Sequence, residues 1–259
     1  MSTTPRAHWT GEIIPEALEA INTPGGLIVC ATKVGYILMA GDGEGLERKF
    51  DAKQRKRNKP AVVLCSGIDQ LTALAEVNDE IVEFYQQHWD QDILLGCILP
   101  WKKEAVDTMP DDTVRELARD GRNTSCFVIR FGRPAEQIVA KRWEEGKLTF
   151  ASSANPSGVG NRGKVANIGD RIENEADFIV SADDYVTSIQ PNETEDTRKE
   201  QGVMVSMVTA DGTLVPQQNG QREVTPCPIL IRAGLDCDKI MANMSEIFLS
   251  WDYRHGHYY

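Results

Sequence analysis

Short apolar runs alternate along this chain with segments whose apolar residues recur every three or four positions, and this alternation limits the folds open to it. The apolar runs are rich in branched aliphatic residues and are flanked by Gly, Pro, Asn or charge, as strands are. The periodic segments are typical of amphipathic helices. The predicted strands are GLIVCAT, GYILMA, AVVLC, ILLGCIL, CFVIRF, LTFAS, DFIVS, GVMVSMV and PILIRAG, and the predicted helices are PEALEAI, GLERKFDAKQR, DQLTALAEV, DEIVEFYQQHW, DTVRELARD, AEQIVAKRWEEG and DKIMANMSEIFLSW.

Several of the predicted strands are apolar on both faces, which is typical of strands covered by helices on both sides. We therefore predict an α/β fold built on a mixed sheet. The 259 residues are enough to bury a full hydrophobic core, and they contain no internal repeat. We predict a single domain over residues 1–259, with its core at about 12–235 and a C-terminal helical extension at 236–259.

Charge and composition exclude several classes of protein. No apolar run approaches the ~20 residues that a membrane helix needs, and the N-terminus lacks the apolar centre of a secretory signal. These observations predict a cytoplasmic protein without a membrane partner. The six cysteines form no C-x-x-C pair, so we predict reduced, buried thiols rather than disulfides or a zinc site. With a net charge of -11, the chain must bind any polyanion locally rather than over its whole surface.

The stretch ERKFDAKQRKRNKP, at 47–60, concentrates positive charge directly before a predicted strand. Lys53 and Arg55 are two positions apart, and Lys59 with Pro60 opens the strand. Such a cluster can bind the oxygens of a phosphate group, the arginine through its planar guanidinium. Taken alone, it is equally typical of a solvated helix face.

A second stretch, FASSANPSGVGNRGK at 150–164, places small hydroxyl residues, an Asn and glycines after a predicted strand. Backbone N–H groups in such a loop can point at phosphate oxygens, although a plain strand-to-helix turn has the same composition. The loop also matches G-x-x-x-x-G-K, but Val165 stands where a P-loop needs a hydroxyl for its magnesium ion. A third stretch, Ser188 to Gly202, is polar and without period, and we predict a mobile surface loop or lid there.

Taken together, KQRKRNKPAVVL and SSANPSG resemble the paired signatures of the YrdC-like family, the threonylcarbamoyl-AMP synthases. Members carry K-x-R, then a K-P or N-P strand start, and S-A-N-x-S-G much later in the chain. Further similarity lies in GGLIVCATKVGYILMA, CFVIRFGRP and PILIRAG. The resemblance covers roughly residues 25–234. It implies a twisted mixed β-sheet with flanking helices and a positively charged concave face.

The resemblance also implies an activity. Similar proteins join L-threonine, bicarbonate and ATP into threonylcarbamoyl-AMP, with release of pyrophosphate, for the modification of tRNA. It therefore implies a nucleotidyltransferase whose substrates are ATP with its Mg²⁺, bicarbonate and an amino acid, threonine first among them, and whose partners include tRNA or tRNA-modification proteins. Catalysis would come from positioning and charge stabilisation rather than from a covalent nucleophile.

The resemblance assigns roles to ten side chains. The implied catalytic residues, which also bind the nucleotide, are Lys53, Arg55, Ser153 and Asn155; Lys59, Ser157 and Arg232 complete the nucleotide site, and Thr32, Tyr36 and Arg130 are implied to bind the amino acid.

Departures from the family pattern fall mainly on the amino-acid side. The family turn P-T-x-T-x-Y-G is ATKVGYI here, so Ala31, Val34 and Ile37 replace Pro, Thr and Gly. Leu64 and Cys65 stand where many members have a His. Each lost polar group removes a hydrogen-bond partner worth about 1 kcal/mol, so affinity for threonine can shift by orders of magnitude while the phosphate motifs stay intact.

Three functions therefore remain open at this point. The first is synthesis of threonylcarbamoyl-AMP. The second is formation or transfer of a carbamoyl-adenylate with a different amine, as in similar hydrogenase-maturation and natural-product enzymes. The third is RNA binding without catalysis, which the acidic composition and the lack of aromatics within the basic run disfavour.

Overall fold

A computed structural model describes residues 4–54, 57, 59–156 and 159–256. The strands are β1 (Arg6–His8), β2 (Leu27–Thr32), β3 (Gly35–Ala40), β4 (Val62–Leu64), β5 (Leu95–Pro100), β6 (Thr124–Ile129), β7 (Phe150–Ser153), β8 (Phe178–Ser181), β9 (Val203–Ser206), β10 (Ile229–Arg232) and β11 (Asp252–Tyr253). The helices are α1 (Pro15–Asn22), α2 (Gly43–Lys53), α3 (Ile68–Leu74), α4 (Asp79–Asp90), α5 (Lys103–Asp107), α6 (Asp112–Leu117), α7 (Arg133–Glu144), α8 (Asp170–Glu175), α9 (Asp183–Ile189) and α10 (Cys237–Ile247), with a 3₁₀ turn at Val165–Asn167.

The strands of the described residues form one mixed sheet of eleven, in the order β1-β8-β2-β3-β7-β4-β6-β5-β9-β10-β11. All nine predicted strands are present as β2 to β10, and the predicted α/β fold is confirmed. The edge strands β1 and β11 and the short helices α5, α8 and α9 were not predicted. The two strands are three and two residues long, too short to produce a periodic pattern, and the three helices are five to seven residues long.

Helices cover the two faces of the sheet unequally. The larger apolar cluster packs one face of the sheet against α2 to α6 and α8 to α10. Its buried residues include Phe50, Phe84 and Met244. On the other face the buried helical residues of the second cluster come from α1 and α7, for example Ile21 and Ile138. Burial of these two clusters is the main apolar stabilisation of the fold. The part of the second face that α1 and α7 leave uncovered is where the candidate site lies.

The chain ends both return to this sheet. Strand β1 pairs with β8 in parallel, and β11 pairs with β10 in parallel. The predicted C-terminal extension thus contains helix α10 and then an edge strand. The described residues include no helix long and apolar enough to cross a membrane.

The six cysteines are unpaired, as predicted: four are buried and two, Cys227 and Cys237, are partly exposed. Cys126 lies on the uncovered face, where burial raises the pKa of its thiol to about 12, against a smaller opposing effect of Arg232. The thiol therefore stays protonated and unreactive near neutral pH.

A fully buried histidine joins α4 to α10. Nδ1 of His88 donates to the carbonyl of Phe84 (2.6 Å), and Nε2 accepts from the amide of Asn243 (3.2 Å). Both contacts suit the neutral imidazole, and burial lowers the pKa of His88 from 6.5 to about 4. The folded state therefore excludes a proton that the unfolded chain binds.

This arrangement predicts a pH dependence of stability. Because the folded pKa is lowered, the stabilisation is complete above pH 6.5, declines as the pH falls below 6.5, and is fully lost once the pH has fallen through 4. A shift of this size corresponds to about 3 kcal/mol. Urea denaturation at pH 7 and pH 4.5 is expected to show this loss in the wild type and a smaller one in His88→Gln. Equal losses in the two proteins would contradict the assignment.

Candidate active site

The uncovered face of the sheet forms a cleft of about 800 Å³. Strand register explains its floor, because paired residues of neighbouring strands point to the same side of a sheet. Val62 pairs with Ala151, and Leu64 pairs with Val128, so their side chains share this face. Gly96, opposite Val128, lies in the same floor without a side chain. The floor of the cleft is therefore apolar and shallow.

Polar groups gather where α2 and β7 end. Asp42 caps the start of α2 by accepting from the N–H of Gly45 (2.8 Å), and Gln54, in the left-handed region (φ 49°), ends the helix directly after Lys53. Nζ of Lys53 donates to the backbone carbonyl of Ser153 and to its Oγ (3.0 Å). The structure thus brings together two motifs whose residues are 100 positions apart.

Ser153 and Asn155 both line the cleft beside Lys59. The amide of Asn155 donates to the carbonyls of Pro156 (3.0 Å) and Val159 (2.6 Å), which holds the turn of the S-A-N segment. Arg55 and Ser157, the other predicted members of the two motifs, lie outside the described residues.

Arg232 and His255 also border the cleft. Nε of Arg232 donates to the carbonyl of Gly202 (3.0 Å), which positions the guanidinium at the rim. His255 also lines the cleft. It is held there because Arg254 and Gly256 donate backbone hydrogen bonds to β10 (2.9 and 3.0 Å). Lys59 and Arg232 thus bring positive charge to the cleft from two segments that are distant in the chain.

Residues 188–202, predicted as a mobile loop or lid, are tied to the fold at several points. The side chain of Gln190 both donates to and accepts from the backbone of Lys199 (2.9 and 2.8 Å). Arg198 is buried and donates to the carbonyl of Arg162 (3.0 Å), while Glu200 accepts from the N–H of Arg162. Arg198 to Gly202 line the cleft, so this segment forms one of its walls.

Asn161 holds the polar end of the cleft together. Its buried amide donates to the carbonyls of Tyr36 (3.1 Å) and Ala154 (3.2 Å), and its Oδ1 accepts from the N–H of Gly163 (3.1 Å). Gly35 packs directly against this side chain at a φ of 124°, so a Cβ there would overlap Asn161. One side chain thus fixes β3, the S-A-N turn and the following loop relative to each other.

The three residues predicted to bind an amino acid are placed differently from one another. Thr32 lines the cleft, and its hydroxyl donates to the carbonyl of Gly35 (2.8 Å). Tyr36 borders the cleft, but its hydroxyl donates to Asp183 and accepts from the N–H of Ala182 (2.8 Å), and its ring belongs to the larger cluster on the opposite face. Burial, reinforced by the Asp183 hydrogen bond, raises the pKa of this phenol well above its ordinary value.

Arg130 is not among the described residues that line the cleft. Its guanidinium lies over the ring of Trp89, 3.7 Å from the centroid, and Nε donates to the Trp89 carbonyl (2.8 Å). Arg130 also adopts a φ of 52°, which turns the chain at the end of β6. The side chain of Arg130 is therefore directed to Trp89 and not into the cleft.

Asn161, Arg198 and Glu200 are candidate site residues that were not predicted from the sequence. No local pattern marks them, since each reaches the cleft through contacts with segments distant in the chain. No local pattern places His255 at the cleft either. In the described residues, 252–256 fold back along β10.

Comparison with known proteins adds an independent observation. A family model for Sua5, YciO and YrdC proteins, described as "Telomere recombination", matches residues 20–197, more than half of the chain. The chain belongs to the Sua5/YciO/YrdC family. The resemblance drawn from the two motifs is thereby confirmed. A comparison with curated proteins found no match.

Solved structures share the fold of this family member. The hypothetical protein smu.1377c from Streptococcus mutans UA159 is 56% identical, with a TM-score of 0.95 over 99% of this chain and 100% of its own. P. abyssi Sua5 complexed with L-threonine is 21% identical, with a TM-score of 0.63 over 98% of this chain and 62% of its own. E. coli YciO is 17% identical, with a TM-score of 0.62 over 91% of this chain and 97% of its own.

Proposed function

We propose that this protein is a carbamoyl-adenylate synthase that uses ATP, bicarbonate and an α-amino acid. The contact between Lys53 and Ser153 carries the proposal, because it joins the basic motif to the S-A-N motif at one edge of a cleft. A family whose members include a Sua5 crystallised with L-threonine supports an amino acid as the third substrate. L-threonine is the acceptor that the family resemblance names.

The proposed reaction has two steps. The neutral amine nitrogen forms a bond to the carbon of bicarbonate while one C–O bond of bicarbonate breaks, and the displaced oxygen leaves as water with the bicarbonate proton and one amine proton, which yields a carbamate. A carbamate oxygen then bonds to the α-phosphorus of ATP while the bond to the bridging oxygen breaks, and pyrophosphate leaves with that electron pair. The product is a carbamoyl-adenylate. The second step needs stabilisation of negative charge more than it needs an acid or base.

The residues that the family resemblance names suit these tasks by their side-chain type. Lys53, Arg55 and Lys59 would bind phosphate oxygens, with Arg232 on the far side of the nucleotide. Ser153, Asn155 and Ser157 would position the α-phosphate and the carbamate oxygen. Magnesium would arrive bound to the triphosphate, since the described residues contain no group of three or more His, Cys, Asp or Glu placed to hold a metal ion. The adenylate would serve tRNA modification, with tRNA or its modification proteins as partners.

Pyrophosphate release tests the proposal without assuming which amino acid is used. With ATP, magnesium, bicarbonate and a mixture of the twenty amino acids, we expect steady release and a product that contains the carbon of labelled bicarbonate. Omission of bicarbonate or of the amino acids is expected to abolish both signals. Absence of release under every condition would overturn the proposal, and salt-sensitive RNA binding in such a protein would point to a binding role instead.

A second candidate is a related reaction with an acceptor other than threonine. The observation that favours it is the apolar lining of the cleft beside Thr32, where Val34 replaces the Thr and Ile37 the Gly of the family pattern, and Leu64 stands where many members have a His. This candidate shares the nucleotide chemistry and differs only in the acceptor.

A further inference from the structure

Five apolar side chains form a continuous patch at the Thr32 side of the cleft, which we call the acceptor patch. Its members are Val34, Ile37, Leu64, Leu94 and Phe131. All five line the cleft, and all belong to or pack against the same apolar cluster. Leu64, Leu94 and Phe131 are nearly fully buried, whereas Val34 and Ile37 are partly exposed to the cleft.

The acceptor patch adjoins the polar end of the cleft. Ile37 pairs with Ser153 across β3 and β7, so their side chains are neighbours on one face. Phe131 is brought to the same place because its carbonyl accepts from the N–H of Lys33 (2.8 Å), next to Val34. A substrate whose carbamate oxygen meets an α-phosphate at Ser153 therefore extends over the patch.

Two polar side chains beside the acceptor patch, those of Thr32 and Lys33, already have partners within the fold. The hydroxyl of Thr32, 2% exposed, donates to Gly35 and accepts from the N–H of Val34 (3.3 Å). The ammonium of Lys33, 4% exposed, lies 2.8 Å from the carboxylate of Asp92. A hydroxyl group buried against the patch would lose its hydrogen bonds to water and gain none from these two side chains.

We propose that the acceptor patch selects an α-amino acid with a branched apolar side chain in preference to L-threonine. The inference rests on the proposed carbamoyl-adenylate activity and names the class of its third substrate. The amine and carboxylate would face the polar end, and the side chain would replace water on the patch. Burial of the methyl groups would stabilise the bound acceptor, and a hydroxyl in their place would destabilise it.

L-Valine and L-threonine provide the sharpest test, since they have the same shape and differ by a methyl or a hydroxyl group. We expect the wild-type protein to release pyrophosphate with a kcat/KM for valine about 10- to 100-fold above that for threonine, the range that an apolar pocket achieves against a hydroxyl isostere. A kcat/KM for threonine equal to or above that for valine would overturn the proposal.

A variant of the patch separates acceptor binding from nucleotide binding. Ile37→Thr keeps a β-branched residue in a strand and adds a hydroxyl that faces the cleft. We expect the valine-to-threonine ratio to fall by about 10-fold, with the KM for ATP unchanged. Ile229→Thr is the matched control, because Ile229 is a partly buried strand residue of another apolar cluster and is not among the described residues lining the cleft. Its ratio should equal that of the wild type.

Three outcomes would contradict the inference, each for a different reason. A raised KM for ATP in Ile37→Thr with an unchanged amino-acid ratio would mean that the patch binds the adenine ring, and would overturn the assignment. Release of pyrophosphate with threonine but not valine would overturn the inference while leaving the proposed function intact. No release with any amino acid would overturn the proposed function and this inference with it.

Discussion

Replacement of Lys53 and Arg55 by alanine together is expected to weaken ATP binding by about 10²- to 10⁴-fold. Each cation is proposed to make a charge-assisted hydrogen bond to a phosphate oxygen, and such bonds contribute about 1.5 to 3 kcal/mol each. Lys53 is buried and contacts Ser153, which lines the cleft, but Lys53 itself is not among the described residues that line it. Isothermal titration calorimetry with ATP and magnesium measures the loss.

The control must remove the same charge elsewhere. Lys141 and Lys147 are exposed and pair with Glu144 and Glu145 on the surface, so Lys141→Ala with Lys147→Ala changes the net charge equally without altering the cleft. We expect wild-type ATP affinity in this control and a wild-type circular dichroism spectrum in both double variants. Unchanged affinity in the Lys53 and Arg55 variant would refute the nucleotide site.

Asn161→Ala is expected to destabilise the protein by about 3 to 5 kcal/mol, since three buried hydrogen bonds are lost together. The carbonyl of Ala154 and the N–H of Gly163 would lose these partners. For a chain of this size the change corresponds to a Tm lower by roughly 6 to 20 °C. Because Asn161 joins β3 to the S-A-N turn, ATP affinity should fall as well, even below the new Tm.

Asn167→Ala is the matched control for this prediction. Asn167 is exposed, and its side-chain amide donates a hydrogen bond to the carbonyl of Asn161 (3.2 Å). Its loss is expected to cost at most about 1 kcal/mol. Differential scanning fluorimetry on the two variants compares the same chemical change at a buried and at an exposed position. Equal shifts in Tm would show that Asn161 does not organise the loop.

The long elements could be predicted because local and tertiary preferences agree there. The apolar runs that became β2 to β10 are buried in the sheet, and the helical period of α4 and α7 matches the faces that they bury. Strands β1 and β11 could not be predicted, because two or three residues carry no pattern and their pairing with β8 and β10 comes from the rest of the sheet.

Candidate site residues could be predicted where they belong to a sequence motif. They could not be predicted where tertiary contacts alone bring them to the cleft. The K-x-R and S-A-N stretches indicated Lys53 and Ser153, which the fold brings into contact. Tyr36 and Arg130 also belong to recognisable stretches, but a motif identifies a residue and not the direction of its side chain. Tyr36 bonds to Asp183 on the opposite face, and Arg130 stacks on Trp89.

The amino-acid sequence alone determined the class of fold and the family and indicated the residues that we propose bind phosphate, because periodic burial and short motifs are local properties of the chain. Tertiary structure decided which face of the sheet stays open and which side chains reach it, among them Asn161, Arg198 and His255. Those positions depend on strand register and on hydrogen bonds between distant segments. They exist only once the sheet has formed.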